Sequence, residues 1–195
     1  MKYIFAIVLF SLLVISGAGA QDAGWKLDKA HSGISFTVRH MVISEVAGKF
    51  TDFDILLNST KEDFSDASVQ TTIKTASINT EVAQRDNHLK SDDFFNAEKY
   101  PEIKFKSTSF NKTGDNTYKI TGDMKIRDIT KTVTFDAVYN GTAVMGKSIH
   151  AGWKATTTIN RVEFGLKWNR ALETGGLIVS ENVNVTINME FAKGK

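Results

Sequence analysis

The side chains best able to do chemistry in this sequence are four histidines, His31, His40, His88 and His150. An imidazole can act as a general base, a metal ligand or a hydrogen-bonded structural group, and its neighbours decide which. None of the four stands in an H-x-x-x-H spacing, so no helix face offers two metal ligands. A site built from His31, His40 and His88 would have to be assembled by folding, and a lone strand histidine is more often structural. No metal and no cofactor are therefore expected. Cysteine is absent, which removes thiol nucleophiles, thiolate metal sites and disulfides together. No G-x-S-x-G elbow, dinucleotide turn or P-loop occurs, and Gly175-Gly176 is an isolated pair that suits a loop. The acids Asp92-Asp93 and Asp52/Asp54 read as solvated surface rather than as an acid–base pair.

One polar constellation is denser, Arg85-Asp86-Asn87-His88. It reads as an exposed helical turn whose Arg–Asp contact is worth less than about 1 kcal/mol. It reads also as a set of polar groups at a barrel mouth, able to hold the head of an amphiphile. From the residues alone the first reading is the simpler.

The elements that must position these groups alternate with period two, the pattern of strands with one buried face. Ile34, Phe36, Val38 and His40 alternate with polar residues, as do Tyr118 to Ile126, Val133 to Tyr139, Ile149 to Ile159 and Val183 to Phe191. A hairpin turn is expected near Asp128 to Lys131. With shorter candidates at Val46–Leu57, Ser68–Ile78 and Ile103–Phe110, the count reaches about eight, enough to close a barrel around side chains or one small ligand. Between Glu81 and Asn96 the spacing suits a short helix instead, with Thr80 as a candidate N-cap. The expected fold is all-β, an extended antiparallel barrel with one helical connection around residues 81–96.

The inward-facing positions mix Phe36, Phe50, Phe53, Phe105, Phe135 and Phe164 with Gly48, Gly122, Ala137, Ala151, Ala155 and Gly165. Large residues packed against small ones would fill the interior. A tunnel for an apolar guest fits the same residues, and both readings stay open.

Lys2, an apolar run from Tyr3 to Ile15 and the small residues Ala18-Gly19-Ala20 have the form of a cleavable secretory signal over residues 1–20. The apolar run is shorter than the roughly 20 residues a membrane span needs. Residues 21–195 are then expected to form one soluble, exported domain, periplasmic or secreted, with no integral membrane segment. With 24 basic and 22 acidic residues over the whole chain, no charge excess points to nucleic acid or an anionic surface.

Taken in order, several motifs resemble the YceI-like family of exported, lipocalin-like proteins. They are Asp28-x-x-His31-Ser32 with Phe36-x-Val38-x-His40 and Val46-x-Gly48-x-Phe50; then Arg85-Asp86-x-His88-Leu89-x-Ser91-x-Asp93-Phe94-Phe95 with Tyr100-Pro101; then Arg161-x-x-Phe164-Gly165. Departures fall in the hairpin, where Lys125, Asp128 and Thr132 replace the family's common threonine, glycine and proline. The resemblance implies a barrel around a long apolar tunnel, holding a polyisoprenoid or fatty-acyl amphiphile without catalysis. The residues expected against the tail are Phe36, Val38, Phe50, Phe53, Phe105, Phe135 and Phe164, and against the head His40, Arg85, His88 and Arg161. Two alternatives stay open. One is an enzyme acting on such a lipid through His40, His88 and Asp86; the other is a stress or surface-interaction protein using the barrel as scaffold. A homodimer is one assembly open to the chain.

Overall fold

Period-two alternation builds strands throughout. In β8 (Thr117–Ile126) every second residue from Tyr118 to Ile126 is buried, while those between face outward. A computed structural model describes residues 24–171 and 177–194. The expected signal over residues 1–20 and the Gly175-Gly176 pair lie outside the described residues.

The remaining strands are β1 (Gly24–Leu27), β2 (Gly33–His40), β3 (Ser44–Phe50), β4 (Phe53–Asn58), β5 (Ser68–Lys74), β6 (Ile78–Asn79), β7 (Glu102–Lys112), β9 (Ile129–Met145), β10 (Ser148–Asn160) and β11 (Val179–Gly194). The order β1-β4-β5-β7-β8-β9-β10-β11 returns from β11 to β1, so eight antiparallel strands close a barrel. Closure leaves no free edge along this ring, which is how a chain this rich in strands avoids edge-to-edge pairing. The other strands, β2, β3 and β6, carry the wall further in one direction. β2 runs on from β1 along β11, β3 pairs with β2, and β6 pairs with β3.

The two ends of the barrel differ. At the β1 end the loop Ser59–Ala67 folds inward and buries Phe64, which is 1% exposed. Phe64 packs against Trp25, Tyr139 and Trp153 with ring centres 5.0–5.4 Å apart. The loop is tied down by the Asp66 carboxylate, which accepts from the hydroxyls of Ser59 and Thr60, and by Tyr118, whose hydroxyl donates to Asp63 C=O. Hydrogen bonds from the two hydroxyls hold the Asp66 carboxyl well below the usual carboxylate range.

At the other end the wall has a gap, because β6 pairs with β3 and, among the described strands, with no other. The chain leaves the wall after β5 and returns at β7. Both ends of this excursion are pinned together: Thr75 N–H donates to Pro101 C=O and Thr75 Oγ1 donates to Tyr100 C=O at 2.8 Å. Within it, α1 (Ala83–Lys90) falls inside the expected helical segment but is shorter. Thr80 does not cap it. Val82 occupies the cap position, and Thr80 is buried with its N–H and hydroxyl donating to the Asp86 carboxylate at 2.8 and 2.6 Å. The β8–β9 turn is also tighter than expected. Ile126 pairs with Ile129, so the turn is Arg127-Asp128, with Arg127 at φ +56°.

Candidate apolar binding site

At the gapped end lies a cavity of about 140 Å3. Its wall comes from inward residues of several strands, among them Phe36 and Val38 of β2, Phe50 of β3, Ile103 of β7 and Val183 and Val185 of β11. Its roof is the excursion, through Leu89 of α1 and the following Phe94 and Phe95. The helix is polar along most of its length, so Leu89 and the two phenylalanines carry the roof's apolar surface. Strand residues facing each other across this end would fill the space; three side chains from a covering segment do not.

The roof is latched from below. Arg127, at the hairpin turn, donates from Nη1 to Phe94 C=O at 3.1 Å and to Gly165 C=O at 3.2 Å. The His88 ring stands edge-on to both Phe94 and Trp168, with centres 5.1 and 4.9 Å apart. These contacts fix the roof to the Arg161–Phe164 turn and the segment after it.

Among the described residues, Arg161 is the one charged side chain lining the cavity, and it is 6% exposed. Its guanidinium donates to four backbone carbonyls: Nε to Ser180, Nη1 to Leu166 at 2.6 Å and Trp168 at 2.9 Å, and Nη2 to Val179. Four of its five N–H groups are met in this way. Burial pushes the guanidinium pKa down, against the pull of Glu181, but an arginine remains a cation. Arg161 therefore joins the two stretches of chain that border this end of the barrel, and places a positive group in an otherwise apolar wall.

The residues expected from sequence separate into groups. Phe36, Val38, Phe50 and Arg161 line the cavity. Phe53, Phe105, Phe135 and Phe164 are buried elsewhere. On β7, Ile103 lines the cavity, Phe105 is the next inward residue, and Phe110 belongs to the aromatic packing at the closed end. Phe105 itself packs edge-to-face on Phe135 at 5.2 Å. His40 ends β2 on the same face as Val38, at the rim. Arg85 turns back to its own segment, donating to the Thr80 hydroxyl and carbonyl at 2.8 and 2.9 Å. His88 pairs through Nε2 with Asp93 at 2.8 Å. Asp86 holds Thr80, so Asp86 and His88 have separate partners.

The small inward residues also find an explanation. A Cβ on Gly48 would lie 2.3 Å from the Phe36 ring, and one on Gly122 would lie 2.3 Å from Lys106 C=O and 2.7 Å from the Phe105 ring. These two glycines make room for neighbouring rings and backbone, which is the packing reading of the large–small mixture. The cavity has other walls. Ile73, Ile78, Met124, Ile159, Leu166 and Val179 also line it, none of them among the tail residues expected from the sequence. Alternation marks most of these as inward but carries no record of how far along the barrel they sit.

The rim bears a further feature. Between β2 and β3, Met41 and Val42 both adopt left-handed backbone, at φ +50° and +67°, and Ile43 beside them is 85% exposed. No helix among the described residues is long and apolar enough to cross a membrane.

The same architecture recurs in known proteins. BcnA of Burkholderia cenocepacia superposes with a TM-score of 0.72 at 24% identity, covering 85% of this chain and 99% of that one. A polyisoprenoid binding domain from Saccharophagus degradans, implicated in plant cell wall breakdown, superposes at 0.61 with 12% identity, over 89% of this chain and 99% of that one. At such identities the likeness is one of fold. The YceI protein of Campylobacter jejuni is nearer in sequence, with 32% identity, a TM-score of 0.69 and coverage of 87% and 98%. A UPF0312 protein of Staphylococcus aureus (strain USA300) is 38% identical over 167 residues, 85% of this chain and 95% of the relative. The family model of the YceI-like domain matches residues 25–191, from the first barrel strand to the last. On that match, the chain belongs to the YceI-like family.

Proposed function

We propose that this protein binds an isoprenoid-like or other long-chain amphiphile in the cavity under α1, and carries or stores it without chemical change. The observation behind this reading is the cavity itself, walled by aliphatic and aromatic side chains with a single buried guanidinium among them. The fold shared with the polyisoprenoid binding domain of Saccharophagus degradans points the same way. Each methylene moved from water into such a wall contributes roughly 0.8 kcal/mol, so the tail supplies most of the affinity, and a polar head is left the charge of Arg161 and its one N–H not given to backbone carbonyls.

The size of the cavity sets a condition. A protein cavity of roughly 150 Å3 holds one benzene, and about 140 Å3 is of that order. A guest of several isoprene units therefore needs Leu89, Phe94 and Phe95 to withdraw, which requires the Arg127 hydrogen bond to Phe94 C=O and the His88 contacts with Phe94 and Trp168 to open. The chain is expected to work outside the cytoplasm after removal of residues 1–20.

Organic extraction of the purified protein followed by mass spectrometry tests the reading. One amphiphile per chain is expected, reduced when Val183→Phe fills the cavity. An extract free of amphiphile, together with no saturable uptake of an apolar fluorescent probe, would overturn it.

A further inference from the structure

The seam that closes the barrel is short. β1 and β11 pair through Lys26 with Ala192 and Leu27 with Phe191, whereas β10 and β11 pair continuously from Ser148–Gly194 to Asn160–Asn182. Next to the seam, outside the barrel and away from the cavity lining, three ligand-bearing side chains converge. Asp28 and His31 flank the turn between β1 and β2, and Glu190 stands on β11. One oxygen of Asp28, one imidazole nitrogen of His31 and one oxygen of Glu190 all lie within 4.8 Å of one another.

The outer hydrogen bonds leave one oxygen of each carboxylate to a cation, which at Asp28 Oδ2 replaces the hydrogen bond with His31 Nδ1. Asp28 Oδ1 accepts from the N–H groups of Ala30 and His31, at 2.9 and 3.3 Å, which leaves Oδ2 beside His31 Nδ1 at 2.9 Å. Glu190 Oε1 pairs with His150 Nδ1 at 2.8 Å, leaving Oε2. The backbones are fixed as well: Asp28 N–H donates to Glu190 C=O at 2.8 Å, and Glu190 N–H donates to Ser32 Oγ at 3.0 Å. Outer partners that orient ligands in this way are a regular part of metal sites.

We propose that Asp28, His31 and Glu190 bind a divalent transition cation of the zinc class, which staples β1 to β11 across the closing seam. One imidazole nitrogen and two carboxylates form a borderline donor set that suits zinc better than magnesium or calcium. Two carboxylates and a neutral imidazole give the site two negative charges to offset the ion. Ligands bonded to one zinc at about 2.1 Å are no more than about 4.2 Å apart. The observed spread closes to that by side-chain rotation, for which His31, 67% exposed at its side chain, has room. A fourth position faces solvent and takes water. A cation here binds the folded seam and not the unfolded chain, so it stabilises the barrel by mass action.

The test uses the full chain without a polyhistidine tag, stripped with chelator and titrated with Zn2+ by calorimetry, alongside melting curves. One ion per chain and a rise in melting temperature are expected, with no comparable rise from Mg2+. His31→Ala and Glu190→Gln should each weaken Zn2+ binding at least 100-fold, and His150→Ala about 10-fold. His88→Ala, remote from the seam, should leave it unchanged. Circular dichroism confirms folding of each variant, and His31→Asn serves where His31→Ala fails. Absence of saturable binding, an equal response to Mg2+, or binding that survives both ligand substitutions would overturn the proposal.

Discussion

The two ends of this barrel follow the same alternating pattern, yet one is filled and the other hollow. At the closed end Phe64, Trp25, Trp153, Tyr118 and Phe110 pack ring against ring at 5.0–5.6 Å. At the gapped end the facing residues are mostly Ile, Val and Phe, and a polar helix lies where further wall would be. Alternation decides which side chains point inward. Whether they meet depends on what stands opposite, and α1 brings little apolar surface to the meeting. Space for a guest arises here from an interrupted wall rather than from small residues on it.

The largest test of this contrast is truncation at each end. Trp153→Ala should cost about 3–5 kcal/mol in denaturant unfolding, as expected for a fully packed aromatic. Phe95→Ala, which only borders the void and is partly exposed, should cost less than half as much. Equal losses would remove the distinction. Next in size is the pair of arginines. Arg161→Leu leaves four carbonyls without their donor and should cost roughly 2–4 kcal/mol, while Arg85→Ala, which removes hydrogen bonds to Thr80 alone, should cost about 1 kcal/mol. A larger effect at Arg85 would mean that the excursion, and not the Arg161 turn, holds this end together.

A third test sharpens the account of the glycines. Gly48→Ala must displace the Phe36 ring, at about 1–3 kcal/mol, and should lower guest capacity because the ring swings into the cavity. Gly33→Ala, with nothing within 4 Å of its Cβ, is the matched control. The rim gives a smaller effect of opposite sign. Relieving the left-handed backbone of Val42 by Val42→Gly should stabilise the fold by about 0.5–1 kcal/mol, the strain relieved less the added entropy of glycine.

The smallest effect is one of pH. Hydrogen bonds from Lys104 and Lys74 hold the Glu102 carboxyl down at about 2, below its ordinary 4.5. A depressed folded value means that the pair stabilises the fold above about pH 4.5 and that this contribution is lost as pH falls through about 2. Glu102 stands where the excursion rejoins the wall, so melting curves of Glu102→Gln and the parent chain should differ at neutral pH and converge near pH 2.

Much of this architecture is legible in the residues. The antiparallel barrel and the helical interruption follow from period two giving way to a polar segment between β5 and β7, but the strands do not match one for one: alternation marks no strand at Gly24–Leu27, and the candidates Val46–Leu57 and Ser68–Ile78 each divide into two. Alternation marks Phe36, Val38 and Phe50 as inward, the family resemblance makes them candidates for the tail, and all three line the cavity. Phe105 and Phe135 have the same alternation but sit further down the barrel, and pattern alone does not separate levels. Phe64 is hidden for a different reason. It is one apolar residue in the polar loop Ser59–Ala67, and only the aromatic pocket formed by distant strands turns it into a plug. Leu89, Phe94 and Phe95 are visible as apolar anchors, but their role as a roof depends on the pinning of Thr75 to Tyr100 and Pro101, across 25 residues of chain.

The central claim is that guests enter the gapped end. Methyl-labelled protein, stripped by organic solvent and reloaded with a polyprenyl amphiphile, allows the site to be read by NMR. Shifts are expected at the methyl groups of Leu89, Val183 and Val185, with those of Leu57 and Val69 at the closed end unmoved. Shifts centred on Leu57 and Val69, or saturable loading that leaves Leu89, Val183 and Val185 unchanged, would contradict it.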